Sequence, residues 1–305
     1  MDPAPSRCTL AHPAKPVDYA GGNWAPPTRV ASIGRMTELA ISVGNLLRDW
    51  RRRRRLSQLD LASEAEVSQR HLSFVESGRS TPSRDMVLRL SEHLEIPLRE
   101  RNALFIAAGY APPYRERALD APGLEAARAA VELILAGHEP HPAIAIDRHW
   151  TLIFANAAAS RLMGGADPSL LDPPVNVLRL SLHPQGLAPR IGNLREWRSH
   201  VLARLARQVE SSADPALVRL IEELESYPVP PGAKPYRPAE QPSYGGIAIP
   251  LELASPAGTL RFLSTTTVFG TALEITLAEL AIESFFPADA DTARAMRALS
   301  DAGTE

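Results

Sequence analysis

Gln69, Arg70 and Ser73 are polar residues spaced to share one side of a helix, and two of them can read base edges. Glutamine pairs bidentately with adenine and arginine with guanine. Gln58 stands where a preceding helix would begin. Its side chain, helped by the free N–H groups of that helix end, suits a phosphate. Ser68 and Arg79 bracket the same stretch as further candidate contacts. Arg51 to Arg55 are consecutive arginines that point all round a helix. Such a run is either a solvated face or a partial phosphate contact, and Arg54 and Arg55 lie nearest the next helix. The chemistry these residues imply is contact with double-stranded DNA, phosphates fixing position and base edges supplying sequence.

Reading bases requires a positioning helix, a tight turn, and a second helix free to enter the major groove. From Leu39 to Gly109 the apolar spacing predicts five short helices. Val43, Leu46, Leu47 and Trp50 share a face of the first. The second opens at Ser57, with Asp60 as capping-box partner, and its expected inward face is Leu59, Ala62 and Ala65. The third opens at Ser68, buries Leu72 and Val75, and stops at Gly78, where a left-handed residue satisfies the last carbonyls. The fourth begins near Thr81-Pro82-Ser83 and presents Val87, Leu90 and Leu94. Pro97 opens the fifth, which runs through Leu104 and Ile106. Leu59, Ala62, Leu72 and Val75 are expected to lock the second helix to the third.

Ser57-Gln58-x-x-Leu61-Ala62, then Val67-Ser68-x-x-x-Leu72-Ser73-x-x-Glu76-x-Gly78, with Arg79 and Pro82-Ser83 beyond, resembles the helix-turn-helix of the XRE (Cro-like) family. The resemblance spans roughly Gly44 to Ile96 and implies an all-α, five-helix, lambda-repressor-like domain with a DNA operator as partner. One such unit buries little surface on DNA, so a homodimer reading two half-sites about 10 bp apart is expected. Glu66 departs from the pattern, because the family places glycine in that turn. A non-glycine residue at positive φ costs on the order of 1 kcal/mol, so the turn is either slightly strained or differently shaped.

Tyr110 to Gly123 carries Pro112, Pro113 and Pro122 and reads as a connector. Leu124 to Ala136 is an amphipathic helix with Leu124, Ala127, Val131, Ile134 and Leu135 on one side. Residues 143–147 and 151–155 are short apolar runs flanking Arg148-His149-Trp150, which predicts a hairpin. Asn156 is the expected N-cap of the helix that follows. Helices are expected over 194–209 and 215–226, a proline-rich loop over 227–243, and strands over 246–254, 259–269 and 273–282. Strand pairs separated by helices make an α+β domain with an antiparallel sheet. The expected organisation is a disordered leader over 1–35, with Met36 as an alternative start, a helix-turn-helix domain over 36–110, a connector over 111–123, a second domain over 124–288 and a tail over 289–305.

Asn156-Ala157, Asn176-x-x-Arg179, His183-Pro184 and Arg190-x-x-Asn193-x-x-x-Trp197 are similar to the MmyB-like transcription regulators, over roughly Glu125 to Phe286. That resemblance implies a PAS-like domain with a pocket for a fatty acid or a similar apolar molecule. Asn176, Arg179, Arg190 and Trp197 are the candidate ligand contacts. An arginine such as Arg179, set among apolar neighbours, holds a ligand carboxylate bidentately or is satisfied by the domain's own acids and carbonyls. Trp197 suits the core as well as a ligand.

Net charge is −2, but 12 Arg face 10 acidic residues over 36–110, while 17 Lys and Arg face 23 acidic residues beyond. The basic excess is confined to the N-terminal part of the chain. Cys8 is the sole cysteine, which excludes an intramolecular disulfide and a cysteine-based metal cluster. No signal peptide is legible, and no apolar run reaches the roughly 20 residues of a membrane span, so a cytosolic protein without a membrane partner is expected. There is no glycine-rich phosphate loop and no nucleophile elbow. His138 and His141 sit among Pro140 and Pro142, which disfavours a metal-binding helix. Neither catalysis nor a cofactor is expected. Three readings stand: a DNA-binding regulator whose second domain takes a small apolar effector, a regulator whose second domain only dimerises or binds a protein, and an enzyme with a DNA-binding appendage.

Overall fold

The computed structural model describes residues 42–230, 233, 249–270 and 274–302. The leader with Cys8, the Met36 start, most of the proline-rich loop and the first residues of the strand expected from 246 lie outside them. The N-terminal helices are α1 (Val43–Arg53), α2 (Gln58–Glu64), α3 (Gln69–Glu76), α4 (Arg84–His93) and α5 (Leu98–Ala107). Four open on a serine: the hydroxyls of Ser42, Ser57, Ser68 and Ser83 each accept the amide three residues on. Pro82 therefore lies just outside α4. The capping box of Ser57 and Asp60 forms as expected.

All five helices end alike. Arg55, Glu66, Gly78, Glu95 and Gly109 take left-handed φ, Glu66 at +53°. The next amide then reaches back to close the helix: Leu56 to Arg51, Val67 to Ala62, Arg79 to Phe74, Ile96 to Ser91 and Tyr110 to Phe105. Three of these positions are not glycine. At each of them the following residue, Leu56, Val67 or Ile96, packs on the N-terminal core, which offsets the strain.

Leu47, Leu61, Leu72, Leu90 and Phe105 are fully buried in that core. Leu59 is not: it is 61% exposed, and Leu61 takes its place beside Ala62 and Ala65. Each residue turns the helix about 100°, so a stripe counted from Leu59 drifts off the seam that Leu61 and Ala65 share.

A connector leads to α6 (Glu125–Gly137) and then to a five-stranded antiparallel sheet of order β2-β1-β5-β4-β3. Its strands are β1 (Ala143–Ile146), β2 (Leu152–Ala155), β3 (Leu251–Ser255), β4 (Gly258–Val268) and β5 (Ala281–Pro287). β1 is buried on both faces. Its small residues Ala143 and Ala145 meet Val131 and Leu135 of α6, and Ile144 and Ile146 face the larger core on the other side. Ile134 lies at the margin of the α6 stripe and is 43% exposed. The larger core is closed by α7 (Ala157–Met163), α8 (Val177–Leu182), α9 (Leu194–Ser212) and α10 (Pro215–Ser226). The chain is thus an all-α helix-turn-helix region followed by an α+β domain.

Two C-terminal expectations are corrected. The strand expected over 273–282 is a helical turn, α11 (Ile275–Ala278), and the strand proper is β5. The Ile275 amide and the Thr276 hydroxyl bond to carbonyls of connector residues Arg115 and Arg117, which takes them out of the sheet. The tail expected from 289 is α12 (Ala290–Asp301), capped by Asp289 and anchored through Met296, which packs with Leu260 and Phe262 of β4.

Candidate functional site

On α3, Gln69 and Arg70 are exposed and Ser73 half-exposed, one turn further along the same side. Ser68 caps the helix and Arg79 is exposed beyond it. The Arg70 guanidinium lies over the Phe74 ring, 5.4 Å from its centroid, which steers it along the helix face.

What fixes this face is Glu76, buried at the far end of α3. Arg51 donates to it twice, from Nε at 2.7 Å and Nη2 at 2.9 Å, and Gln58 Nε2 donates at 2.8 Å. Arg48 bonds its carbonyl and stands 3.7 Å from the carboxylate. Burial alone would raise the Glu76 pKa; the bonds from Arg51 and Gln58, with the charges of Arg51 and Arg48, outweigh it and lower the value. One carboxylate therefore ties α1 and α2 to the recognition helix. Gly44 of α1 lets the two backbones meet: a Cβ there would sit 2.2 Å from the Val75 carbonyl oxygen.

Two arginines of the run are structural and the other three are exposed. Arg51 is the buried partner of Glu76. Arg54 donates to the carbonyls of Leu94 at 2.8 Å and Glu95 at 2.9 Å, closing the end of α4. Arg55 is exposed, 3.5 Å from Glu210, which is also exposed. Gln58 reaches Glu76 in this structure, with its side chain turned away from the helix end where a phosphate would sit.

The second domain holds a cavity of about 110 Å³ between the sheet, α8 and α9. Apolar side chains line most of it, among them Leu178, Val201, Leu253 and Phe262. Its polar members are Ser181, His200, Arg204 and Glu283, with the indoles of Trp150 and Trp197. Trp197 Nε1 donates to Ser181 Oγ at 3.0 Å. Arg204 pairs with Glu283, a residue 4% exposed, and lies over the Trp150 ring at 4.5 Å. Burial, then the nearby Arg204 and Arg207, lower the His200 pKa, so the ring is neutral at pH 7.

Of the four ligand candidates from the sequence, only Trp197 reaches this cavity. Arg179 is held bidentately by Glu223 at 2.6 and 2.7 Å. Asn176 caps α8 and donates to the His149 carbonyl. Arg190 donates to the carbonyls of Leu162, Gly164 and Ala254. Asn176 and Arg190 thus brace loops, and Arg179 ties α8 to α10. Trp197, His200, Val201 and Arg204 recur at helical spacing along α9, a pattern legible in the sequence that the motif residues obscured.

The two regions meet at α5. Arg99 donates to both oxygens of Glu279 at 2.9 Å and to Glu116. Arg148, in the β1–β2 turn, stands 3.6 Å from the same Glu279 and 3.1 Å from Asp214. His149 also bonds Asp214, at 2.8 Å. Burial raises the Glu100 pKa, with Asp214 and Glu279 adding to the effect against Arg148 and Arg99. Trp150 belongs to the same turn as Arg148: its indole donates to Gln208 at 2.8 Å, and Gln208 donates to the Arg148 carbonyl at 2.7 Å. One turn thus carries a cavity wall on one side and the α5 ion pairs on the other. Among the described residues no helix is long and apolar enough to cross a membrane, and no cluster of three or more metal-ligating side chains is present.

Residues 127–299 match the model of the MmyB-like transcription regulator ligand binding domain, and residues 47–101 match a helix-turn-helix model. A protein of Methanoculleus marisnigri described as an HTH-type transcriptional regulatory protein is 35% identical over 125 residues, 39% of this chain and 40% of that one. The chain therefore matches less than half of that relative's length. A structure titled as an RNA-binding light-oxygen-voltage receptor aligns with 86% of this chain and 63% of its own at 15% identity. Its TM-score is 0.22, too low to carry an argument.

Proposed function

This chain belongs to the MmyB-like transcription regulators, and we propose that it reads an operator through Gln69, Arg70 and Ser73 of α3 under the control of a small apolar effector held between α8, α9 and the sheet. Two copies read two half-sites about 10 bp apart. Ser68, Arg79 and Arg55 supply phosphate contacts, and Gln58 joins them when it swings from Glu76.

The observation that carries the reading is the position of Trp150. It forms a wall of the cavity, and two residues away Arg148 joins the acids that grip Arg99 of α5. A molecule pressing on the indole moves the Gln208 bridge and the turn with it, and so biases the hold on the DNA-binding helices. Coupling of this kind is worth about 1–3 kcal/mol between two sites.

Selection of bound DNA from a random pool, with and without a lipid extract, tests the reading. A defined operator sequence whose affinity changes about 5-fold or more when extract is present is the expected outcome. Arg99→Ala then keeps operator binding and loses the response. An operator affinity indifferent to every extract would leave the second domain as a dimerisation or partner-binding module, the reading favoured by Leu133, which α6 leaves 73% exposed.

A further inference from the structure

The polar end of the cavity has a charge balance that bears on what can bind there. Among the described residues Arg204 is its only permanent cation. That guanidinium is already matched: one nitrogen bonds both Glu283 and, at 2.6 Å, the Thr266 hydroxyl, which itself donates to Glu283 at 2.7 Å. The Glu283 side chain is 5% exposed. A carboxylate entering here would share one arginine with a buried carboxylate, placing two like charges together in a medium that screens them poorly. Displacing Glu283 instead would strand it without a cation.

A neutral group meets no such opposition. Ser181 accepts from Trp197 and keeps its own proton to give. The neutral His200 ring, stacked on Trp197, lines the same cavity as donor or acceptor.

We infer that the effector is an uncharged apolar molecule bearing one hydrogen-bonding group, and that the Arg204–Glu283 pair rejects carboxylates, fatty acids included. This rests on the reading of the cavity as the effector site. The test compares acetophenone with benzoate, probes of equal size that differ in charge, by calorimetry on the full chain. The unaltered protein is expected to bind acetophenone at least about 10-fold more tightly. Glu283→Gln is expected to raise benzoate affinity by about 10-fold or more and to change that of acetophenone by less than about 3-fold. Because that variant leaves Arg204 unpaired, Arg204→Met/Glu283→Gln supplies a second measurement, in which acetophenone affinity stays within about 3-fold. Benzoate binding as tightly as acetophenone in the unaltered protein, or a preference that Glu283→Gln leaves in place, overturns the charge inference and spares the cavity reading. Neither probe binding, or binding that survives filling the cavity with Val201→Trp, overturns the cavity reading and this inference with it.

Discussion

Arg70 and Glu76 sit on one helix and do opposite work. Arg70 is exposed and steered only by Phe74, which leaves its donors for a base. If it reads a guanine, Arg70→Ala lowers the discrimination between operator and random DNA by about 1–3 kcal/mol. Competition binding at fixed salt measures this, and an equal loss on both DNAs would make Arg70 a phosphate contact. Glu76 never meets DNA in this scheme, yet α3 is held through it. Glu76→Ala leaves Arg51 buried without its partner, and the expected loss is about 3–5 kcal/mol in the N-terminal unfolding transition. A loss below about 1 kcal/mol would mean that Arg51 finds compensation in the Leu56 carbonyl it already meets.

Elements succeed or fail here at their ends. Four of the five helices of the DNA-binding region open on a serine cap, and all five close on a left-handed residue. That uniformity makes the turn at Glu66 testable by itself. Its side chain is exposed and its φ is +53°, so Glu66→Gly removes strain and no packing. Thermal unfolding is expected to show a gain of about 0.5–1 kcal/mol, with operator affinity kept. A lower Tm would show that Glu66 holds the turn through its side chain. Capping made these elements legible in the sequence, because a cap is a local bond between neighbours. The α2 seam was not, since a seven-residue helix has too little length to separate a stripe through Leu59 from one through Leu61.

At the scale of the whole molecule, stability is tied to pH through two imidazoles. Burial comes first in lowering both His200 and His141, with Arg204 and Arg207 adding at the first and His138 and Arg297 at the second. The folded pKa values lie below the unfolded one of about 6.5, so the unfolded chain takes up protons first as pH falls. Stability is therefore fullest above about pH 6.5 and declines as pH falls below it. Melting curves across that window check the sign, and His200→Gln is expected to flatten the slope. A slope unchanged by that variant would place the linkage elsewhere. The same scale holds the joint at α5, where Arg99, Glu279, Arg148 and Asp214 come from four separate segments.

The sequence alone determined the helix-turn-helix, its caps, the hairpin around Arg148–Trp150 and the α+β class of the second domain. Each of these rests on neighbours within a few residues, where spacing and residue type already encode the contact. Which side chains face the cavity was decided only by the tertiary structure. Asn176, Arg179 and Arg190 stand out as a polar motif because the loops and the packing of α8 on α10 need polar braces. The cavity is walled instead by residues from α7, α8, α9 and four strands that no local pattern joins. The pairing of Arg204 with Glu283 spans 79 positions, and the charge the cavity presents follows from that one long-range contact.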